Sequence, residues 1–160
     1  MKQITYLIII NLLIMSCQPS SSETDEKYAR AQEIYQEAIA VHDEVMPRMD
    51  EIMRLKSLLN ERIEGLQQKG EEINTDSLQH MQEIVQKLEE ADEAMMQWMR
   101  NVKQVPEVEK EPSADAETAR LSDTTNLIQV QQEQKAAIEH VKTQMESSIK
   151  EARTFLVLPE

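Results

Sequence analysis

Apolar residues return along this chain at intervals of three and four over long stretches, the period of a helix with one buried face. Ile34, Ala38, Val41, Val45, Ile52, Leu55, Leu59, Ile63 and Leu66 make the first such stripe. It predicts a helix from about Asp25 to Lys69, with Gly70 as its C′ stop. Asp76, with Gln79 three residues on, marks a second helix that starts near a capping box. Its stripe is Leu78, Met81, Val85, Leu88, Met95, Met99 and Val102, and Pro106 should end it near Val105, because the residue before a proline avoids helical geometry. A third helix is expected from Ser122 or Asp123 to about Leu156, with Leu127, Ile138, Val141, Met145, Ile149, Ala152 and Leu156 on one face. The acidic segment PEVEKEPSADAETARLS at 106–122 reads as a mobile linker between them.

A loop of five or six residues makes the first two helices an antiparallel hairpin over 25–105. None of the three can bury its stripe alone. The expected fold is therefore all-α: an elongated antiparallel three-helix bundle with coiled-coil-like packing, the third helix and C-terminal tail occupying 123–160. The rival arrangement is a hairpin whose third helix docks loosely or pairs with another copy, which would make a homo-oligomer. Two glycines and one phenylalanine in 160 residues exclude most β architectures.

The first residues have a different pattern. Lys2 is followed by an apolar run from Ile4 to Met15, broken by Thr5 and Asn11 and closed by Ile14-Met15-Ser16-Cys17. About a dozen apolar residues are too few to cross a bilayer, so 1–16 reads as a signal peptide. The I-M-S-C ending resembles a bacterial lipobox, in which the cysteine is lipidated and becomes the first mature residue. Cys17 is the one cysteine, so no disulfide framework exists, and a covalent lipid would consume its thiol. An ordinary cleavable signal followed by a free thiol is the alternative. The small polar stretch Gln18-Pro19-Ser20-Ser21-Ser22-Glu23-Thr24 reads with Cys17 as a tether over 17–24. In bacterial sorting an aspartate directly after the cysteine favours the inner membrane. Gln18 stands there instead, which favours the outer membrane, with both the periplasmic and the surface leaflet open to it.

The net charge is −13, and −14 once Lys2 leaves with residues 1–16. Such a surface repels nucleic-acid phosphates and anionic headgroups. The chain carries no Gly-rich phosphate loop, no Ser/His/Asp constellation and no His-x-x-x-His pair. These features point to no enzyme and no cofactor beyond the lipid on Cys17.

The stretch HDEVMPRMDEIM at 42–53 stands out, because it sets a proline inside a helical pattern and spaces His42, Met46, Met49 and Met53 along one side. Pro47 cannot donate to the Asp43 carbonyl and should kink the rod. Folding the hairpin about Ile73 places Met46, Met49 and Met53 level with Met95, Met96 and Met99, with Trp98 towards the stripe's edge. Two chemistries fit. Methionine is an adaptable filler for an irregular helix interface; thioether and imidazole also suit Cu(I), which an indole can cover, giving the candidate ligands His42, Met46, Met49, Met53, Met95 and Met99. Asp92 falls inside the second stripe, and Gln131 and Gln134 occupy core-facing positions of the third helix. Lys135 is expected to reach Asp92, and this end of the bundle is expected to be softer and wetter. His80 and His140 lie off the stripes and are expected in solvent.

His42-Asp43-Glu44-Val45-Met46-Pro47 with Met49, and Ala91-Asp92-Glu93-Ala94-Met95-Met96 with Trp98-Met99, resemble small Bacteroidota lipoproteins of unknown function, often auto-named "viral A-type inclusion protein". The similarity covers the signal, both hairpin helices and, more loosely, the third. It implies envelope localisation and a helical domain, and brings no activity. The expectation is a lipid-anchored, non-enzymatic interaction or scaffold module with an envelope protein as partner, whose contact surface comprises Met46, Pro47, Met49, Asp92, Met96 and Trp98. A soft-metal protein using the methionine cluster is the alternative.

Overall fold

The computed structural model describes residues 21–69, 75–106 and 114–157. The segment 1–16 read as a signal peptide, Cys17 and Gly70 lie outside them. Helix α1 spans Ser21–Val45, a single 3-10 turn covers Met46–Arg48, and α2 continues from Met49 to Lys69. Helix α3 spans Thr75–Asn101 and α4 Ala114–Leu156. No strand occurs among the described residues. No described helix is long and apolar enough to cross a membrane.

Ion pairs between helices set the directions. Glu37 takes Lys135 at 2.8 Å, Glu44 takes Lys142 at 2.6 Å and Glu51 takes Arg153 at 2.6 Å. Residue numbers rise together along this ladder, so α1–α2 and α4 run parallel. Lys87 reaches Glu151 at 2.8 Å, while Trp98, further along α3, bonds Gln134, further back along α4. Helix α3 is therefore antiparallel to α4, and the molecule is an up-down-up three-helix bundle.

The core follows a seven-residue repeat. Ala31, Ala38, Val45, Ile52 and Leu59 are all buried. So are Met81, Leu88 and Met95, interleaved with Ile84, Ala91 and Trp98 on α3. Gln131, Ile138, Met145 and Ala152 continue the repeat on α4. A strict sevenfold spacing keeps one seam facing its partners only if the helices underwind slightly and supercoil. The α3 stripe differs from the sequence expectation in phase. Val85, Asp92 and Met99 also recur every seven residues, but Ile84, Ala91 and Trp98 face inwards, the all-apolar series being buried where the other would have buried the Asp92 carboxylate.

Several boundaries also differ. Residues 21–24, expected in the tether, belong to α1, with Thr24 buried. Helix α4 starts at Ala114, inside the segment read as a linker at 106–122. Ala114, Ala116, Glu117, Ala119 and Arg120 are strong helix formers, and their propensity outweighs the acidity that suggested a linker. Helix α3 stops at Asn101 rather than near Val105, because the backbone of Lys103 turns away to bond α4.

Candidate functional site

The interrupted end of the bundle is built around Pro47. Without an N–H, Pro47 cannot continue the α-helical bonding, and the chain takes one 3-10 turn before the Met49 N–H bonds Met46 O and α2 resumes. Helices on both sides of the turn keep their pairs to α4 through Glu44 and Glu51.

Trp98 belongs to the core here, at 7 % exposure, and not to the stripe's edge. Its Nε1–H donates to Gln134 O at 2.9 Å, which leaves the indole face for His42, stacked on it with centroids 5.4 Å apart and 22° between planes. Gln131 and Gln134 close this end. Gln134 Nε2 donates to Lys103 O at 3.1 Å and to Gln131 Oε1 at 2.7 Å, and Gln131 Nε2 donates to Lys103 O at 3.2 Å. The Lys103 N–H in turn donates to Gln134 Oε1. Two side-chain amides thus fasten the chain leaving α3 onto α4. The glutamines expected to wet this end instead bond one another and the backbone.

The expected Lys135–Asp92 pair does not form. Asp92 sits on the α2 side of α3 and accepts from Lys56 at 3.4 Å, while Lys135 is held by Glu37. Residues 91 and 92 are about 100° apart on a helix, so once Ala91 turns inwards Asp92 turns towards α2. The methionines divide by environment. Met95 is wholly buried, and Met49 and Met99 pack half-buried against the core. Met46, Met53 and Met96 are 37 %, 60 % and 39 % exposed. His80 is exposed with its ring edge against Phe155, and His140 is exposed.

An open groove of about 490 Å³ runs between α3 and α4 at the level of Trp98. Ala94, Trp98, Val102, Val130, Ala137 and Val141 supply its apolar lining, and Gln97, Asn101, Glu133, His140 and Gln144 its polar one. Small side chains at 94 and 137 leave the space. The sequence expectation missed this groove, the His42–Trp98 stack and the Gln134 clasp. The all-apolar series Ile84, Ala91, Trp98 was the available signal, since the equally spaced Val85, Asp92, Met99 carries a charge. Among the described residues no set of three or more His, Cys, Asp and Glu side chains gathers to hold a metal ion.

No protein-family model, curated protein or solved structure matches the chain.

Proposed function

We propose that this protein is a lipid-anchored helical module of a bacterial cell envelope, attached through Cys17, that works by contact with an envelope protein and not by catalysis. The observation that carries the reading is the I-M-S-C ending of the apolar run at Ile4–Met15, four residues ahead of a helix that begins at Ser21. Four residues reach at most about 14 Å. The start of α1 is thereby held close to the membrane, and α1–α2 reaches roughly 70 Å from it. Multiple acyl chains, at about 0.8 kcal/mol per buried methylene, would make that attachment nearly irreversible. Gln18 favours the outer membrane. The small lipoproteins that this chain resembles belong to the same setting.

The contact surface we assign is the Pro47 end: exposed Met46, Met53 and Met96, and the groove floored by Trp98. Within it Trp98 contributes as the floor of the groove, and Asp92 is paired with Lys56. Fatty-acid labelling in cells tests the anchor: the chain should incorporate label and sediment with membranes, and Cys17→Ala should do neither. A photo-crosslinking residue at position 96 tests the surface. It should give a discrete adduct that the same residue at exposed position 64 does not. Label that persists in Cys17→Ala, or identical adducts from both positions, would overturn the respective half of the proposal.

A further inference from the structure

The two sides of α4 treat charge differently. Towards α1–α2, Glu37, Glu44 and Glu51 each take a cation from α4. Towards α3 the carboxylates beside the groove do not. Glu133, in the groove lining, accepts from the Gln129 amide at 2.8 Å, and Glu90 accepts from the Gln86 amide at 2.8 Å. Glu90 stands one heptad before Gln97, which also lines the groove, so it continues the same flank of α3. Glu83, a heptad further back, accepts from Gln79 at 3.0 Å, with His80 3.9 Å away. A neutral amide satisfies lone pairs and leaves the charge uncompensated. Lys87, on the same side, is held by both Glu151 oxygens at 2.8 Å. Lys103, the one lysine or arginine of the lining, stands where α3 has already stopped.

The shape of the groove suits a rod. The Trp98–Gln134 bond fixes the antiparallel register; four residues back on α3 and three on along α4, Ala94 comes level with Ala137. Two alanines facing each other leave a hole bordered by Trp98 and Val141. Such a hole between two helices receives a side chain from a further helix. From Glu83 to Asn101 the flank measures about 27 Å, the length of a helix of about 18 residues. A second copy of this chain would bring its own charge of −13 to the acidic flank and be repelled.

We infer that the α3–α4 groove takes an amphipathic helix with basic flanks, its apolar stripe over Trp98, Ala94 and Ala137 and its cations against Glu90 and Glu133. The inference rests on the contact reading above and names the chemistry of the partner.

The probe is a pair of synthetic peptides of about 18 residues, alike in a leucine stripe, with lysine flanks in one and glutamate flanks in the other. The protein is the full chain in phosphatidylcholine vesicles, with a photo-crosslinking residue replacing Gln97 on the groove's rim. The lysine peptide should give an adduct, and the glutamate peptide at least about fivefold less. Glu90→Gln with Glu133→Gln should remove that preference. Ala94→Gln with Ala137→Gln fills the hole at unchanged charge and should lower the lysine adduct at least about fivefold. Glu61→Gln with Glu64→Gln, at exposed positions of α2, should change nothing. If the filled variant loses helix by circular dichroism, the 90/133 variant decides alone. Equal adducts from both peptides, a preference that survives the 90/133 variant or falls as far in the 61/64 variant, or an adduct between two copies of the chain would overturn the inference. In cells, an adduct from position 96 without one from position 97 would sink it and leave the contact reading standing.

Discussion

The rotation of α3 can be tested by comparing two adjacent residues. Ile84 is wholly buried at a seam position, while Val85, which the other heptad phase would bury, is partly exposed against the flank of the core. Ile84→Ala removes three carbons from a packed site. At about 0.8 kcal/mol per methylene the transfer loss is roughly 2.4 kcal/mol, and the cavity left behind brings the total to about 3 kcal/mol. Val85→Ala removes two carbons from a site that gives up about half as much area each, or roughly 0.8 kcal/mol. Urea unfolding of the two variants, followed by far-UV circular dichroism, should therefore show Ile84→Ala losing three to four times as much stability at unchanged slope. Equal losses, or a larger loss at Val85, would mean that the helix faces its partners through Val85, Asp92 and Met99 and that the Ile84–Ala91–Trp98 seam is wrong.

Gln131→Ala should cost about 1–3 kcal/mol, because it strips a buried bond from Lys103 O and leaves the Gln134 amide short of an acceptor. Hydrogen exchange at the Lys103 amide should accelerate in that variant, and an unchanged rate would dissolve the clasp. Gly65→Ala should raise stability by about 1 kcal/mol, since an added Cβ there meets nothing within 4 Å and the position is mid-helix; a lower melting temperature would refute it. The parallel ladder predicts loss at both pH extremes. The hydrogen bond from Lys135, then its charge, holds the Glu37 carboxyl below its usual 4.5, so that contribution is present above this value and fades as pH falls beneath it. Hydrogen bonds to Glu37 and Glu44 raise Lys135 and Lys142 above 10.5, so their contribution is full below this value and is lost as pH rises past it. Glu37→Gln should flatten the acid limb of a melting-temperature profile, and an unaltered limb would exclude the ladder as its cause.

The all-α class, the number of helices and most of the first and third stripes were legible, because apolar residues at threes and fours leave few other ways to be buried. Ile34, Ala38, Val45, Ile52, Leu55, Leu59 and Ile63 are buried as expected, and so are Ile138, Val141, Met145, Ile149 and Ala152. The second stripe was displaced by one residue along half its length. Val85 and Met99 are as apolar as Ile84 and Trp98, and both series recur every seven residues, so only Ala91 against Asp92 separates them. The Lys135–Asp92 pair failed with it, since that single step of about 100° moves Asp92 to the opposite flank. The glutamine clasp was out of reach for a different reason. Glutamine at a core position announces an unmet polar group, and its partner here is backbone beyond the end of another helix, which no periodicity encodes.

That clasp also explains why the composition changes along the bundle. His42 stacks on Trp98, three residues before α3 ends, so most of α1 extends beyond the third helix. Two helices alone can exclude water from their seam only by close approach, and Ala31 and Ala38 permit it: both are fully buried there, whereas the same repeat carries Ile52 and Leu59 where α3 is present. On α4 the repeat changes in step, from Ile138 and Met145 to Gln131 at the place where α3 gives out. A leucine at 131 would still pack, but it could not bond the Lys103 carbonyl that leaves α3 at this level. The alanines, the glutamines and the buried Trp98 are thus one solution to a single geometric problem, the passage from a three-helix rod to a two-helix one. The exposed methionines, His42 and the groove gather at that passage because it is where packing is least able to close the surface.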